Sequence, residues 1–271
     1  MHHDIPEFTR NLARAAGALI RKEHAALEGL TTSFKGGTEL VTNADIKADQ
    51  FICDAIRARF PEHRILAEES APELLVAGYD APLWIIDPID GTVNFAHDHD
   101  QSAVSIAYAE NGRIECGVVF NPFVDEMFHA TRGQGAWLNE RRIQVAQKDS
   151  LRRALVATGF PYIKSREILA PIVKRLALVL EECGDIRRLG SAALDICWVA
   201  MGRLDGYYES LSVWDFAAAQ LIAKEAGARY GHFKPVPAGV SEVFHNEHIL
   251  VANPTLYPQL LDLLQRAESV P

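Results

Sequence analysis

The stretch from Trp84 to Phe95 reads "WIIDPIDGTVNF". Apolar residues lead into Asp87. Pro88 follows, and Asp90 stands three places after the first aspartate, ahead of Gly91 and Thr92. An aspartate before proline is driven toward extended backbone, which sets Asp87 at the tip of a strand. Pro88 fixes its own φ and opens a turn. That turn can bring Asp87 and Asp90 to one side and aim the Ile89 carbonyl the same way. Gly91 permits tight backbone, and Thr92 can begin a short helix. Taken alone, the string reads as an ordinary Asp-Pro-Gly turn.

The segments around it set the context. Residues 6–28 predict an amphipathic helix with Phe8, Leu12, Ala15, Leu19 and Ile20 on one side. "SFKGGTELVT" (33–42) predicts a hairpin turning at Gly36-Gly37. Residues 43–60 predict a second helix with Ile46, Phe51, Ile52, Ile56 and Phe60 as its apolar residues. Strands follow at "RILAEE" and "PLWIID", then a meander with turns at Asn111-Gly112 and Gly133-Gln134-Gly135. After residue 150, strands at "ALVATGF", "DIRRL", "GRLDGYYE" and "HILVANP" alternate with helices over 165–182, 191–202, 215–227 and 255–267. The fold class is mixed α/β (α+β), with sheets layered against helices. The 271 residues suit a single domain over 1–271, in two lobes of approximately 1–150 and 151–271.

Composition narrows the function classes. Hydrophobic residues make up 48% and charged residues 23%, ordinary values for a globular protein. No apolar run is long enough for a bilayer, and the N-terminus lacks the parts of a secretory signal, so a cytoplasmic protein with no membrane partner is expected. The net charge of -9 argues against a broad phosphate-backbone binder, making nucleic acid an unexpected partner. Cys53, Cys116, Cys183 and Cys197 form no close pair, which fits buried reduced thiols better than a zinc or redox motif.

Further acids stand at element ends. Glu68 and Glu69 close the strand "RIL", Asp45 opens a helix after "LVTNA", and Asp215 opens another in "SVWDFAAAQ". Each has a plain alternative. Glu69 fits a solvated strand end, while Asp45 and Asp215 fit capping boxes opened by Thr42 and Ser212. Together they fit an oxygen-ligand site for hard divalent cations, Mg²⁺ with Mn²⁺ as the alternative. In two-metal sites the ions lie roughly 3.5–4 Å apart and share bridging carboxylates, which a D-x-x-D string can supply.

"LAEES" (66–70), "DPIDGT" (87–92) and "WDFAAAQLIAKEAG" (214–227), in this order, resemble the inositol monophosphatase family. "TRGQGAWLN", "TGFP" (158–161) and "RRLGSAALD" (187–195) extend the resemblance over nearly the whole chain. It implies a layered αβαβα sandwich of the inositol monophosphatase/fructose-1,6-bisphosphatase type. It also implies a Mg²⁺-dependent, lithium-sensitive phosphatase with two or three ions per site, usually a homodimer. Glu68, Asp87 and the Ile89 carbonyl would bind the first metal, and Asp87, Asp90 and Asp215 the second. Glu69 would stand near a third ion or behind it. Thr92 would orient the attacking water, supported by Asp45. Glu209 would meet substrate hydroxyls, Gly190, Ser191 and Ala192 would line the same pocket, and Lys35 would sit on a hairpin over the site. Gly91 and Thr92 N–H groups, opening a short helix, would meet phosphate oxygens. The family usually has glycine at Ala67, and glycine and proline where this chain has "AHDHDQ" (96–101), a loop that could change substrate preference.

These roles predict hydrolysis of a small phosphorylated polyol, myo-inositol monophosphate first. No Cys or Ser nucleophile has a recognisable setting, so water is the expected attacker. Glu209 favours a polyol because a carboxylate accepts from neighbouring hydroxyls. Fructose 1,6-bisphosphate, histidinol phosphate and 3′-phosphoadenosine nucleotides remain alternatives, although no basic residues are identified near the pocket for a bisphosphate. A role as an interaction protein of the transcription machinery is the other class of reading, with Arg152, Arg153, Arg187 and Arg188 as an exposed basic face.

Overall fold

The computed structural model describes residues 4–25, 31–35, 37, 39–72, 79–163 and 165–269. Gly36 of the expected hairpin turn and the last residues of the first expected helix, 26–28, lie outside them. Helices α1 (Ile5–Ala25) and α2 (Asn43–Arg59) are separated by the antiparallel strands β1 (Thr32–Lys35) and β2 (Glu39–Thr42). Leu12, Ala13, Ala16 and Ile20 form the buried stripe of α1, at helical spacing, while Ala15 stays exposed. In α2 the buried stripe is Ala44, Ala48, Ile52, Cys53 and Ile56, and Ile46 and Phe51 face outward. The stripe therefore runs through small residues, which let the helix sit close to its sheet.

The larger sheet keeps sequence order: β3 (Arg64–Ala67), β4 (Leu83–Asp90), β5 (Ala103–Glu110), β6 (Arg113–Asn121), β7 (Glu126–Thr131), β8 (Ala136–Leu138) and β9 (Arg141–Arg142). β3 and β4 run parallel, and each later pair is antiparallel. Asn111 and Gly112 both have positive φ, the backbone that a tight hairpin turn demands.

The Asp-Pro string forms a β-bulge where a turn was expected. β4 continues through Pro88 to Asp90, but its pairing with β5 shifts between Asp87↔Ser105 and Asp90↔Ala103. In an even strand, residues three apart point to opposite faces. Here three steps on β4 match two on β5, so the extra residue brings both aspartates to one side. Pro88 has no N–H to lose, which suits a bulge. The short helix α3 (Thr92–Ala96) follows at once, with Gly91 at φ 94° as its N-cap.

The smaller sheet has the order β11-β10-β12-β14-β13, built from β10 (Leu155–Thr158), β11 (Asp185–Arg187), β12 (Gly206–Glu209), β13 (Arg229–His232) and β14 (Ile249–Ala252). β13 was not anticipated from the sequence. Between the sheets lie α5 (Ala192–Ala200) and α6 (Val213–Glu225). One core joins Leu83, Ile85 and Val119 of the large sheet, Phe216 and Ile222 of α6, and Tyr207 and Val251 of the small sheet. On the other face of the large sheet, Trp84, Ile86 and Val118 pack with α1 and α2. The outer face of the small sheet packs against α7 (Tyr257–Ser269) and Val179 of α4 (Arg166–Glu182). The result is an αβαβα sandwich.

α6 is buried nearly all round, as a helix between two sheets must be. Its Ala217, Ala218 and Ala219 permit close approach, and Gly117 on β6 answers them. A Cβ at Gly117 would stand 2.6 Å from the Ala218 carbonyl oxygen. All four cysteines are buried and free. Among the described residues no helix is long and apolar enough to cross a membrane. Gly117→Ala should push α6 off the large sheet, destabilise the fold by about 1–3 kcal/mol and lower Tm by several degrees. Thermal unfolding followed by circular dichroism checks this, and an unchanged Tm would show that α6 yields freely.

Candidate metal and active site

A cleft of about 590 Å³ opens where the end of β4 meets the starts of α3, α5 and α6. Asp87, Asp90 and Asp215 each offer a carboxylate oxygen there, all within 4.8 Å of one another. The bulge presents the first two. The third comes from the first turn of α6, where its other duty is the capping box: Asp215 Oδ2 accepts the Ser212 N–H at 2.8 Å. Asp90 Oδ2 accepts from the Ser191 hydroxyl and from the Ala193 N–H at 2.7 Å, so the start of α5 holds it in place. Asp87 Oδ1 accepts the Ile89 N–H at 3.0 Å.

The acids strain against each other. Burial pushes the Asp87 carboxyl well above the usual range, and Glu68, Asp90 and Asp215 push it further. Glu68 is raised by burial and then by Asp215, with Lys35 opposing. Asp215 is raised by burial and then by Asp90. Asp90 rises to about 6 through burial, held back by the Ser191 and Ala193 donors. The donor set is oxygen alone, from carboxylates and the Ile89 carbonyl, which suits a hard divalent cation and gives the repelling acids a shared counter-charge.

Asp45 is wholly buried and does not line the cleft. Its Oδ2 caps α2, accepting the Thr42 N–H at 2.8 Å, and its Oδ1 lies 3.0 Å from the Thr92 hydroxyl. That hydroxyl also lies 3.1 Å from the Ile89 carbonyl oxygen. Both plain readings of Asp45 and Asp215 as capping residues therefore hold, each alongside a second contact. Glu69 stands outside the cleft lining and pairs with Lys35, whose Nζ also reaches Glu68 at 3.9 Å. Gly190, Ser191, Ala192 and Glu209 line the cleft with Gly91 and Thr92. Gly91 is required by its backbone: besides its left-handed φ, a Cβ would stand 2.7 Å from the Gln101 carbonyl oxygen.

Arg188 is exposed with Arg152, Arg153 and Arg187, as read from the sequence, but it also lines the cleft, so a basic residue does stand near the pocket. The "AHDHDQ" loop does not line the cleft; His97 and His99 are exposed, and Asp98 pairs with His24 at 3.4 Å. Glu39 and Asp195 line it and were not singled out. Asp195 had a signal, standing four residues after Ser191 on one helix. Glu39 had none beyond its place in the hairpin.

A buried oxygen-donor cluster beneath a cleft, at the meeting of helix starts in an αβαβα sandwich, is a site that could hold a divalent cation. The chain belongs to the inositol monophosphatase family, whose profile matches residues 2–269. It is 41% identical over 254 residues to the Nus factor SuhB of Vibrio cholerae, covering 93% of this chain and 92% of that one. The extragenic suppressor protein suhB of Bartonella henselae superposes with TM-score 0.87 at 34% identity, covering 97% of this chain and 98% of the other. The IMPase of Thermotoga maritima gives TM-score 0.83 at 32% identity, covering 98% of each chain. Family and neighbours together support a phosphatase of this superfamily.

The raised carboxyls set a pH dependence. In the folded, cation-free protein Glu68, Asp87, Asp90 and Asp215 hold protons above the values of the unfolded chain, roughly 4. Stability is therefore fullest below about pH 4 for these groups and is lost as pH rises through their folded values. In chelator, Tm should fall as pH rises from about 4 through about 6 and beyond. Excess Mg²⁺ should bind the ionised cluster more tightly as pH rises and remove that fall. Melting curves at several pH values with and without Mg²⁺ check this, and parallel curves would show that no cation binds there.

Proposed function

We propose that this protein hydrolyses the phosphate monoester of a small polyol, myo-inositol monophosphate first, with Mg²⁺ as its cofactor. The observation that carries the reading is the set of oxygens from Asp87, Asp90 and Asp215, within 4.8 Å of one another, in a cleft that Glu209 also lines. Glu68, Asp87 and the Ile89 carbonyl would hold one ion, and Asp87, Asp90 and Asp215 a second. Glu69 would serve a third, in exchange for Lys35. When bound, such ions neutralise phosphate and leaving-oxygen charge and lower the pKa of a coordinated water.

The chain's own residues supply placement. Thr92 orients the attacking water, and Asp45 fixes the rotation of its hydroxyl by lying 3.0 Å away. Asp90 is held by the start of α5, so its carboxylate needs little reorganisation during the reaction. Glu209 accepts from substrate hydroxyls while Tyr207 donates its phenol proton to it. Burial pushes the Glu209 carboxyl up to about 7, with the Tyr207 bond opposing. A homodimer and sensitivity to lithium complete the proposal from the family pattern. Arg188 in the cleft keeps a bisphosphate in the substrate panel.

A second reading, an interaction role in transcription beside catalysis, is favoured by the name Nus factor carried by the Vibrio relative. The same relative gives no support to the expectation that nucleic acid is an unlikely partner.

Asp90→Asn keeps the acceptor for Ala193 and removes the charge. At saturating Mg²⁺ it should lower turnover by about 10²-fold or more with Tm little changed. Inositol 1-phosphate, fructose 1,6-bisphosphate, histidinol phosphate and 3′-phosphoadenosine 5′-phosphate, assayed with and without Mg²⁺ and Li⁺, give the readout. Near wild-type turnover of the variant would falsify the metal assignment. Thr92→Ala should slow hydrolysis more than it weakens Mg²⁺ binding by calorimetry; equal loss of both would remove its proposed role.

A further inference from the structure

Asp195 stands in the first turn of α5, among Ala193, Leu194, Ile196 and Cys197, all buried. It is 2% exposed and lines the cleft, yet its Oδ1 has no hydrogen-bond partner. Among the described residues it makes no ion pair and no side-chain hydrogen bond, although the charge of Arg188 partly offsets its burial. A buried carboxyl without a partner is costly, and native structures rarely keep one without a use. Leucine or asparagine would fit the helix at less expense. Among the acids, Asp90 acts on it most strongly, and Glu209, which lines the same cleft, acts on it next. Glu209 is fixed by the Tyr207 hydroxyl and by Gly159, where a Cβ would lie 2.2 Å from either carboxylate oxygen.

We infer that Asp195 is a specificity-determining residue: with Glu209 it forms a pair of carboxyls that receives adjacent hydroxyls on the alcohol part of the substrate. The claim rests on the phosphatase reading and sharpens it. A carboxyl pair can take two neighbouring hydroxyl groups at once, each acting as donor or acceptor. Specificity of this kind is strong because an analogue without the hydroxyls leaves the site's polar atoms unpaired. Asp195 does not anchor Asp90, which Ser191 and Ala193 hold.

The test compares two esters on the full-length, Mg²⁺-loaded protein: inositol 1-phosphate, and 4-nitrophenyl phosphate, whose leaving group carries no further hydroxyl. Asp195→Ala should raise KM for inositol 1-phosphate about tenfold or more, with kcat changed far less. The constants for 4-nitrophenyl phosphate should stay within about twofold of wild type. Asp195→Asn retains an acceptor oxygen and should recover part of the lost affinity. It also carries the test alone if the alanine variant fails to fold by circular dichroism. Equal losses on both esters, or no change on either, would overturn the inference and leave the phosphatase reading standing. Wild-type protein that hydrolyses neither ester would overturn the phosphatase reading itself, and this claim with it.

Discussion

Asp87, Asp90 and Asp215 crowd their oxygens into one buried spot, with Glu68 beside them. Two unit charges about 4 Å apart repel by about 4 kcal/mol at an effective dielectric of about 20. The chain brings several together, so the fold must supply enough burial elsewhere to hold them. It does so by anchoring each acid to a rigid element. The bulge in β4 fixes Asp87 and Asp90, the start of α5 fixes Asp90 again, and the cap of α6 fixes Asp215. The repulsion that remains is what a divalent cation can relieve, and this links the architecture to the chemistry.

The middle layer makes the arrangement possible. α5 and α6 lie between two sheets, and their starts point to the same cleft. Small residues along α6 and Gly117 opposite it bring the helix close to the large sheet. Unpaired N–H groups at a helix start favour carboxylates. The same geometry therefore packs the core and places acids that could otherwise be held only at the surface.

Much of this was legible in the sequence where a local rule governs. The capping boxes at Thr42 and Ser212, the Asn111-Gly112 turn and the helices α2, α4 and α6 follow from short-range spacing. The order of acids between "LAEES" and "WDFAAAQ" pointed to the cleft before any packing was known. What was missed depends on distant partners. Whether Asp87 and Asp90 share a side through a turn or a bulge is decided by the register with β5. Asp195 enters the cleft because α5 docks between the sheets, and Arg188 because the segment between β11 and α5 borders it, which no window around them records. β13 escaped notice because "RYGH" is short and carries no run of β-branched residues.

Asp45 spends one oxygen on starting a helix and turns the other toward Thr92, and Asp215 both caps a helix and joins the acid cluster. A residue with such divided duties ties evolutionary change at the centre to the integrity of the scaffold. Drift toward a new chemistry is freest at Glu39, Arg188 and Asp195, which line the cleft and cap nothing. Divergence among relatives should therefore collect along that wall, while the helix-starting acids stay as they are.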